Sequence, residues 1–574
     1  MKNREIAKIF YDIAKYLKMD NVAFKPYAYE KAGNSLEALE KDVGEIYNKG
    51  GLKALMEIPG VGKNISDHIE EYLKSGKIKV YEELKKKLPL NIDELAKVEG
   101  LGPRKAKVLY QKLGIKNLKD LEKAAKKNLI APLFGFGKKT EDNILQGIDF
   151  LKKSKGRFLL GDIMPIAKEV LEKLKNLKEV GKISLAGSLR RGKETIGDVD
   201  ILVVSKNPKK VMNFFCSLPN IEKIWGKGGT KASVHMKDGF DMDLRIVSKK
   251  SYGSALQYFT GSKEHNIITR KIAIDKGLKL SEYGVFRGSK MIAGSTEQEV
   301  YKAIGLNWMA PEIRENEGEI EASLQGKLPE LVELKDIKGD LHCHSDWDGG
   351  ENSIEQMCER AMAMGYEYIG ISDHTKFLRI ENGLNEKQLL SQKKEIEKIN
   401  KKFGKQGLKF RILHGCEANI LNDGSIDIKD EVLSKLDYVI AGVHSSLKMD
   451  KPEMMARLTK AMKNPNVDII SHPTGRLIGK RDEYKIDFDK ILKIAKETGT
   501  ILEINSSPQR LDLNGFYIRR AKAEGVKMII DTDSHHKDQL NLMEYGVSQA
   551  RRGWAEKEDI INTKPLAELL KYFQ

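Results

Sequence analysis

Two aspartates stand one residue apart at the head of an apolar run in "AGSLRRGKETIGDVDILVV", residues 186–204. On a strand, successive side chains face opposite ways, so Asp198 and Asp200 share one face while Val199 takes the other. A third carboxylate, Asp243, occurs in "FDMDLRIV", beside another strand-like run and two residues before Arg245. Three carboxylates on adjacent strands make an all-oxygen site suited to magnesium, which keeps several waters and bridges to substrate phosphates. Two such ions, one activating an attacking oxygen and one stabilising the leaving oxygen, are the two-metal solution to phosphoryl or nucleotidyl transfer. The upstream "GSLRRG" then offers Ser188 and Arg191, with nearby backbone amides, to a triphosphate.

A second set of reactive residues lies beyond about residue 336. Seven apolar runs there read as strands, and most end in metal-ligand residue types: "GDLHCH", "YIGISDH", "RILHGCE", "YVIAGVHS", "VDIISHP", "TILEINSS" and "KMIIDTDSHH". Eight of the eleven histidines fall in this part: His342, His344, His374, His414, His444, His472, His535 and His536. Helical segments separate the runs. Parallel strands interleaved with helices, with polar residues gathered at the strand C-terminal ends, are the pattern of a barrel whose chemistry sits on one face.

The elements that position these residues must form several domains, because 574 residues exceed what one core supports. The formal charge is +17, and all of the excess positive charge lies before residue 320. A basic surface of this kind attracts phosphate backbones. Four cysteines, Cys216, Cys343, Cys358 and Cys416, occur in no CxxC arrangement, which argues for a reducing compartment rather than a disulfide framework. The opening "MKNREIAKIFYDIAKYL" reads as an amphipathic helix, and no apolar run is long enough to span a bilayer, so a cytoplasmic protein without a membrane partner is expected.

Residues 1–150 alternate helical patterns with Gly-centred turns and read as all-α. "IPGVGKNISDHI" and "VEGLGPRKAKVL" share the pattern apolar-x-Gly-apolar-Gly before an amphipathic helix, and "FGFGKKTEDNIL" is a looser third copy. The glycines permit tight turns, and each following helix offers N-terminal amides to a phosphate. The pattern resembles the helix-hairpin-helix module, which implies a sequence-independent grip on DNA through Gly60, Gly62, Gly100 and Gly102. From 151 to 247 the reading is α/β, residues 252–318 are mixed, and the polar stretch "PEIRENEGEIEASLQGKLPE" has the makings of a linker.

With "YFTGSKEHNIITR" at 258–270, the motifs "GSLRRGKETIGDVD" and "DLRIV" resemble the thumb, nucleotide-binding and catalytic motifs of family X DNA polymerases, the group of polymerase beta. The resemblance implies that Asp198, Asp200 and Asp243 hold Mg2+ or Mn2+ and that Asp243 helps to activate the primer 3′ hydroxyl. It implies triphosphate contacts from Ser188, Arg191 and Gly197. Tyr258, Phe259 and Gly261 would border the incoming sugar, Asn266 would reach the minor-groove edge, and Arg270 would touch the template side. Ile196 stands where the family has a serine, so that phosphate contact is not carried over. His68 stands where the family has the lysine of its deoxyribose-phosphate lyase, and an imidazole is a poor imine-forming nucleophile, so no lyase activity is expected.

The C-terminal third resembles the PHP domain, a barrel of seven β/α units that binds a metal cluster. The resemblance implies His342, His344, Asp348, His374, Glu417, His444, His472, Asp533 and His535 as ligands, with Asp346 the alternative to Asp348 in "SDWDGG". Mixed imidazole and carboxylate ligands suit two or three ions of manganese, zinc or iron, and a bridging glutamate would let two of them share a hydroxide. Cys343 and Cys416 read as packing residues. The expected organisation is a helical domain over 1–80, a second helix-hairpin-helix or fingers domain over 81–150, an α/β nucleotidyltransferase palm over 151–250 and an α+β thumb over 251–318. A linker over 319–335 and a (β/α)7, TIM-like PHP barrel over 336–574 complete it. The function implied is a monomeric repair polymerase that fills short gaps in primer-template DNA with dNTPs, with a PHP nuclease trimming 3′ to 5′ or cutting at abasic sites. Two rival readings are an RNA-tailing or antibiotic-modifying nucleotidyltransferase, and a PHP part that serves as a small-molecule phosphoesterase or as a scaffold.

Overall fold

A computed structural model describes the chain except for residues 1, 21, 23–24, 38, 40–41, 59, 91–94, 96–97, 99–100, 102, 139, 143, 146–147, 149–155, 480 and 574. The chain divides into two compact units. One comprises residues 1–158, 170–187 and 197–306; the other comprises 159–169, 188–196 and 307–574.

In the first unit the N-terminal part is helical, as its periodicity predicts. Ile58, Val61, Ile65 and Ile69 place the first Gly-centred turn and its following helix, Lys63–Ser75, in a core with Ile6, Phe10 and Leu36. Gly60 takes φ +84° and Gly135 takes φ +83°, a left-handed conformation that a Cβ would strain. Each turn is closed alike, by Val61 N–H to the Ile58 carbonyl (3.0 Å) and by Phe136 N–H to the Leu133 carbonyl (3.0 Å). The third, looser copy of the motif therefore shares the glycine φ and the closing hydrogen bond of the first. It shares a core with the second copy through Val98, Leu101, Ile130, Phe136 and Ile144. Gly100 and Gly102 lie outside the described residues.

The palm is a five-stranded sheet ordered Val180–Leu185, Asp198–Ser205, Asp241–Ile246, Lys231–Met236 and Ile221–Lys227. Its one parallel pair joins Asp198–Ser205 to Asp241–Ile246. Val199, Ile201, Leu202 and Val203 are fully buried, which anchors the aspartate-bearing end of the central strand. The thumb that follows is α+β: helices Tyr252–Thr260 and Lys263–Asp275, a three-stranded antiparallel sheet over 279–293, and helix Glu297–Ala303.

In the second unit every paired strand of the two principal sheets is parallel. The third predicted run is divided at Gly415–Cys416 into Arg411–His414 and Glu417–Asn419, so seven runs give a three-stranded and a five-stranded sheet. A parallel bridge from Cys343 to Ser534 joins the first run to the last, and another from His374 to Glu417 joins the two sheets, closing a ring. Leu341, Tyr368, Leu413, Ile440, Ile469, Ile501 and Ile529, one from each run, form a single buried layer. Their neighbours Ile369, Ile412, Ala441, Ile470, Leu502 and Ile530 pack instead with helix residues such as Met357, Leu458 and Leu492. This alternation is that of a filled barrel under a coat of helices. Residues 319–324 form a helix in which Glu319 and Ile320 are buried.

Candidate active sites

The palm site follows from strand register. Asp198 pairs with Asp241, and Asp200 with Asp243, across two strands that ladder geometry keeps about 4.8 Å apart. Four carboxylates therefore share one face. Asp241 is engaged by two ring neighbours, accepting from Trp225 Nε1 at 2.9 Å and lying 2.6 Å from His235 Nδ1. The other three are Asp198, Asp200 and Asp243, with Lys231 Nζ 2.8 Å from Asp243. Desolvation together with the charges of Asp198 and Asp243 pushes Asp200 up to about 7, and desolvation with Asp243 and Asp241 raises Asp198. Carboxylates forced together in this way favour a cation. Gly187 belongs to this site although its spacing did not single it out: at φ +65°, a Cβ there would lie 2.9 Å from Asp200 Oδ2.

Of the thumb residues, Asn266 is buried and held by Gln257 (2.7 Å) and by the Tyr258 carbonyl (2.7 Å), and Arg270 Nε donates to the Asn266 carbonyl at 3.2 Å. The Tyr258 and Phe259 rings meet edge to face at 5.1 Å, and the Arg245 guanidinium lies 4.5 Å from the Phe259 ring. Gly261 ends their helix with φ +70°. His68 stacks on Tyr29 at 6.1 Å. Ser188 and Arg191 lie in the second unit's segment 188–196, where Arg191 is buried with Nε 3.0 Å from Glu315 Oε1.

The barrel site gathers the expected residues around Glu417. Its Oε2 lies 2.8 Å from His374 Nδ1 and 3.4 Å from His342 Nε2; its Oε1 lies 3.2 Å from both His444 Nε2 and His472 Nε2 and accepts from Ser471 Oγ at 2.8 Å. Asp533 Oδ1 faces His344 Nε2 at 3.4 Å, and the His344 and His535 rings stack at 4.0 Å. His472 and Asp533 both adopt positive φ, backbone strain of the kind concentrated at functional sites. Asp348 is buried and meets His344 on its Nδ1 edge at 2.8 Å, while Asp346 is exposed.

Three further side chains complete the arrangement. Glu503 Oε1 lies 2.5 Å from His342 Nδ1, and Asn419 Oδ1 lies 2.8 Å from His444 Nδ1, just as Asp348 meets His344. Asp373 accepts from Ser345 N–H and Oγ at 2.5 Å each. Partners on Nδ1 orient the rings and leave Nε2 as the ligand atom. Accordingly, Nε2 of His342, His344 and His444 is buried without a hydrogen bond. Ligand atoms of His342, His344 and Asp533, of His344, His374 and His535, of His374, Glu417 and His444, and of His344, Asp348 and Asp373 each fall within 4.8 Å of one another. Burial opposes charge on His342, but Glu503, Glu417 and Asp533 hold its pKa well above the ordinary value. Burial likewise works against Glu417 ionisation, yet His444, His342 and His374 hold it well below the carboxylate range. The donors fit divalent metal ions.

A known protein resembles this chain over its whole length. The chain is 39% identical over 575 residues to the "DNA polymerase/3′-5′ exonuclease PolX" of Bacillus subtilis, covering 99% of each chain. The protein belongs to the family X DNA polymerases that carry a PHP domain. Family profiles match for a helix-hairpin-helix domain (1–78), a SAM-like helix-hairpin-helix tandem (92–149), the DNA polymerase beta palm (162–223) and thumb (255–315), and the PHP domain (340–507). Probable phosphatases from a Thermoanaerobacter species and from Clostridium acetobutylicum are 34% and 38% identical over 163 and 135 residues. These matches cover 26% and 22% of this chain and 64% and 52% of theirs. Among the described residues, no helix is long and apolar enough to cross a membrane.

Proposed function

We propose that this protein is a DNA repair polymerase that extends primer 3′ ends across short gaps and carries a 3′–5′ exonuclease in its PHP barrel. The observation that carries the reading is the presence, on a chain similar over its whole length to a DNA polymerase/3′-5′ exonuclease, of both the in-register aspartates and the Glu417-centred cluster.

In the palm, Asp198, Asp200 and Asp243 would hold magnesium or manganese, which would supply positive charge to the primer 3′ oxygen and to the departing pyrophosphate. Asp243 orients the hydroxyl, Ser188, Arg191 and Gly197 receive the triphosphate, Tyr258, Phe259 and Gly261 border the sugar, and Asn266 and Arg270 monitor the base pair and template. In the barrel, two or three ions of manganese, zinc or iron suit His342, His344, His374, Glu417, His444, His472, Asp533 and His535, with Asp348 either a ligand or the partner that orients His344. When bound, they supply the nucleophile that cleaves the terminal phosphodiester. Glu503 and Asn419 hold His342 and His444 in the required tautomer, and Gly442 keeps space beside Glu417, since a Cβ there would stand 3.0 Å from Glu417 Oε1. The helix-hairpin-helix turns hold the duplex by its phosphates, and the protein acts as a monomer on gapped or primer-template DNA.

The likeness to probable phosphatases favours a second reading for the barrel alone, phosphomonoester hydrolysis, with the nuclease extending to abasic sites as a variant of the same attack. One experiment separates these. The full-length protein is incubated with a 3′-labelled gapped duplex, with and without dNTPs, in magnesium or manganese, beside an abasic duplex and p-nitrophenyl phosphate. Gap filling with dNTPs and stepwise 3′ shortening without them are expected. Phosphate release from the small ester without DNA shortening would overturn the nuclease assignment.

A further inference from the structure

Segment 188–196 carries Ser188 and Arg191, proposed as triphosphate contacts, and two of the side chains that fix it, Gln549 and Arg552, come from the end of the chain. Gln549, fully buried in helix Met543–Arg552, donates from Nε2 to the Gly192 carbonyl at 2.9 Å. Arg552 Nη1 donates to the Arg191 carbonyl at 2.8 Å and to Glu315 Oε1 at 3.1 Å. The same Oε1 accepts from Arg191 Nε at 3.0 Å, and Lys193 Nζ lies 3.3 Å from Oε2. Glu194 accepts from both terminal nitrogens of Arg476, at 2.7 and 3.2 Å. Gly192, at φ +60°, sits so close to the helix that a Cβ would come within 1.9 Å of Ser548 Oγ.

Such a density of contacts on one short turn exceeds what a simple chain reversal needs. Backbone carbonyls of two successive residues, Arg191 and Gly192, are each taken by a separate side chain of one helix, which sets the path of the turn. Glu315 takes the Nε edge of Arg191 and thereby sets the plane of its guanidinium. A turn that must present amides and an arginine to a triphosphate binds more tightly when it is ordered beforehand, because the ligand then bears none of the ordering entropy. We infer that helix Met543–Arg552 of the PHP domain, together with Glu315, is the seat of the dNTP-binding turn, with Gln549, Arg552 and Glu315 acting as positioning residues for nucleotide binding. The nuclease domain thus serves the polymerase reaction directly. The inference rests on the assignment of Ser188 and Arg191 to the triphosphate.

The test uses full-length Gln549→Met, which keeps volume and removes the donor, together with Arg552→Ala, Arg552→Lys, the Gln549→Met/Arg552→Ala double variant and Arg191→Ala. Single-nucleotide gap filling gives KM for dNTP and kcat, and 3′ digestion is measured on the same preparations. The double variant is expected to raise KM about tenfold with kcat nearly unchanged, the signature of lost binding rather than lost chemistry. Digestion stays at the wild-type rate, and Arg552→Lys recovers part of the KM effect. An unchanged KM in Gln549→Met and in the double variant, with KM raised in Arg191→Ala, would overturn the seat. An unchanged KM in Arg191→Ala would overturn the triphosphate assignment beneath it. Should the double variant melt early and lose digestion as well, Gln549→Met alone decides the matter, with a severalfold rise in KM expected and no rise contradicting the inference.

Discussion

The palm and the barrel both assemble anionic ligands on strand ends, but they hold them in opposite ways. In the palm, three carboxylates stand on one sheet face with few fixed partners, and desolvation together with their mutual repulsion raises Asp198 and Asp200. In the barrel, His342, His344 and Glu417 are almost wholly buried, and His342, His344 and His444 each have a dedicated partner on Nδ1. The first arrangement suits ions that arrive and leave with a nucleotide substrate. The second suits ions that stay, because ligand and outer partner are both locked by packing.

The contrast breaks most readily at the carboxylates themselves. Asp200→Ala and Asp243→Ala should each lower gap filling about a thousandfold or more while leaving 3′ digestion unchanged, because each removes charge needed in the transition state. Gap filling at a tenth of the wild-type rate by Asp200→Ala would contradict the two-metal reading of the palm. Next in size are the barrel's outer partners. Glu503→Gln and Asn419→Ala should lower metal retention and digestion roughly 10–100-fold. Metal content after gel filtration checks this directly, and wild-type retention in both variants would mean that the Nδ1 contacts do not orient the ligands.

A pH series sharpens the same comparison. With Asp200 titrating at about 7, protons and magnesium compete for it, so below pH 7 the magnesium concentration giving half-maximal gap filling should rise about tenfold per pH unit. Because the folded pKa is raised, the metal-free protein gains stability from this group at low pH and loses it as pH rises through 7; magnesium should restore that loss. A magnesium requirement that stays flat from pH 6 to 8 would argue against the crowded carboxylates. Smaller again is Gly187→Ala, which introduces a Cβ at φ +65° and 2.9 Å from Asp200 Oδ2. The left-handed strain alone is worth about 1–2 kcal/mol, so gap filling should fall several-fold and digestion should not.

Much of both sites was legible in the sequence because their ligands are periodic. Asp198 and Asp200 announce themselves by a spacing of two, and the barrel histidines by their place at the ends of apolar runs. The expected fold classes are those observed: helical hairpins, palm and thumb, and a seven-run parallel barrel. Other features depend on contacts that no local pattern encodes. Asp241 has the same spacing credentials as Asp243, and only the fold shows it engaged by Trp225 and His235. Glu503 lies inside a quoted strand run, but its role appears only when His342, 161 residues away, is brought to it. Gln549 reaches the Gly192 carbonyl across 357 residues. The third hairpin reads as the loosest copy, yet its Gly135 adopts the same φ as Gly60 of the first.

The central claim is that one chain carries two separate metal-dependent centres with opposite effects on a 3′ end. The most direct measurement compares Glu417→Gln with Asp200→Ala, both full length, on one internally labelled gapped duplex in manganese with dNTPs added or withheld. The account predicts that Glu417→Gln extends the primer with dNTPs and leaves it intact without them, whereas Asp200→Ala shortens it under both conditions. Loss of both extension and shortening in a folded Asp200→Ala protein, or continued shortening by Glu417→Gln, would contradict it.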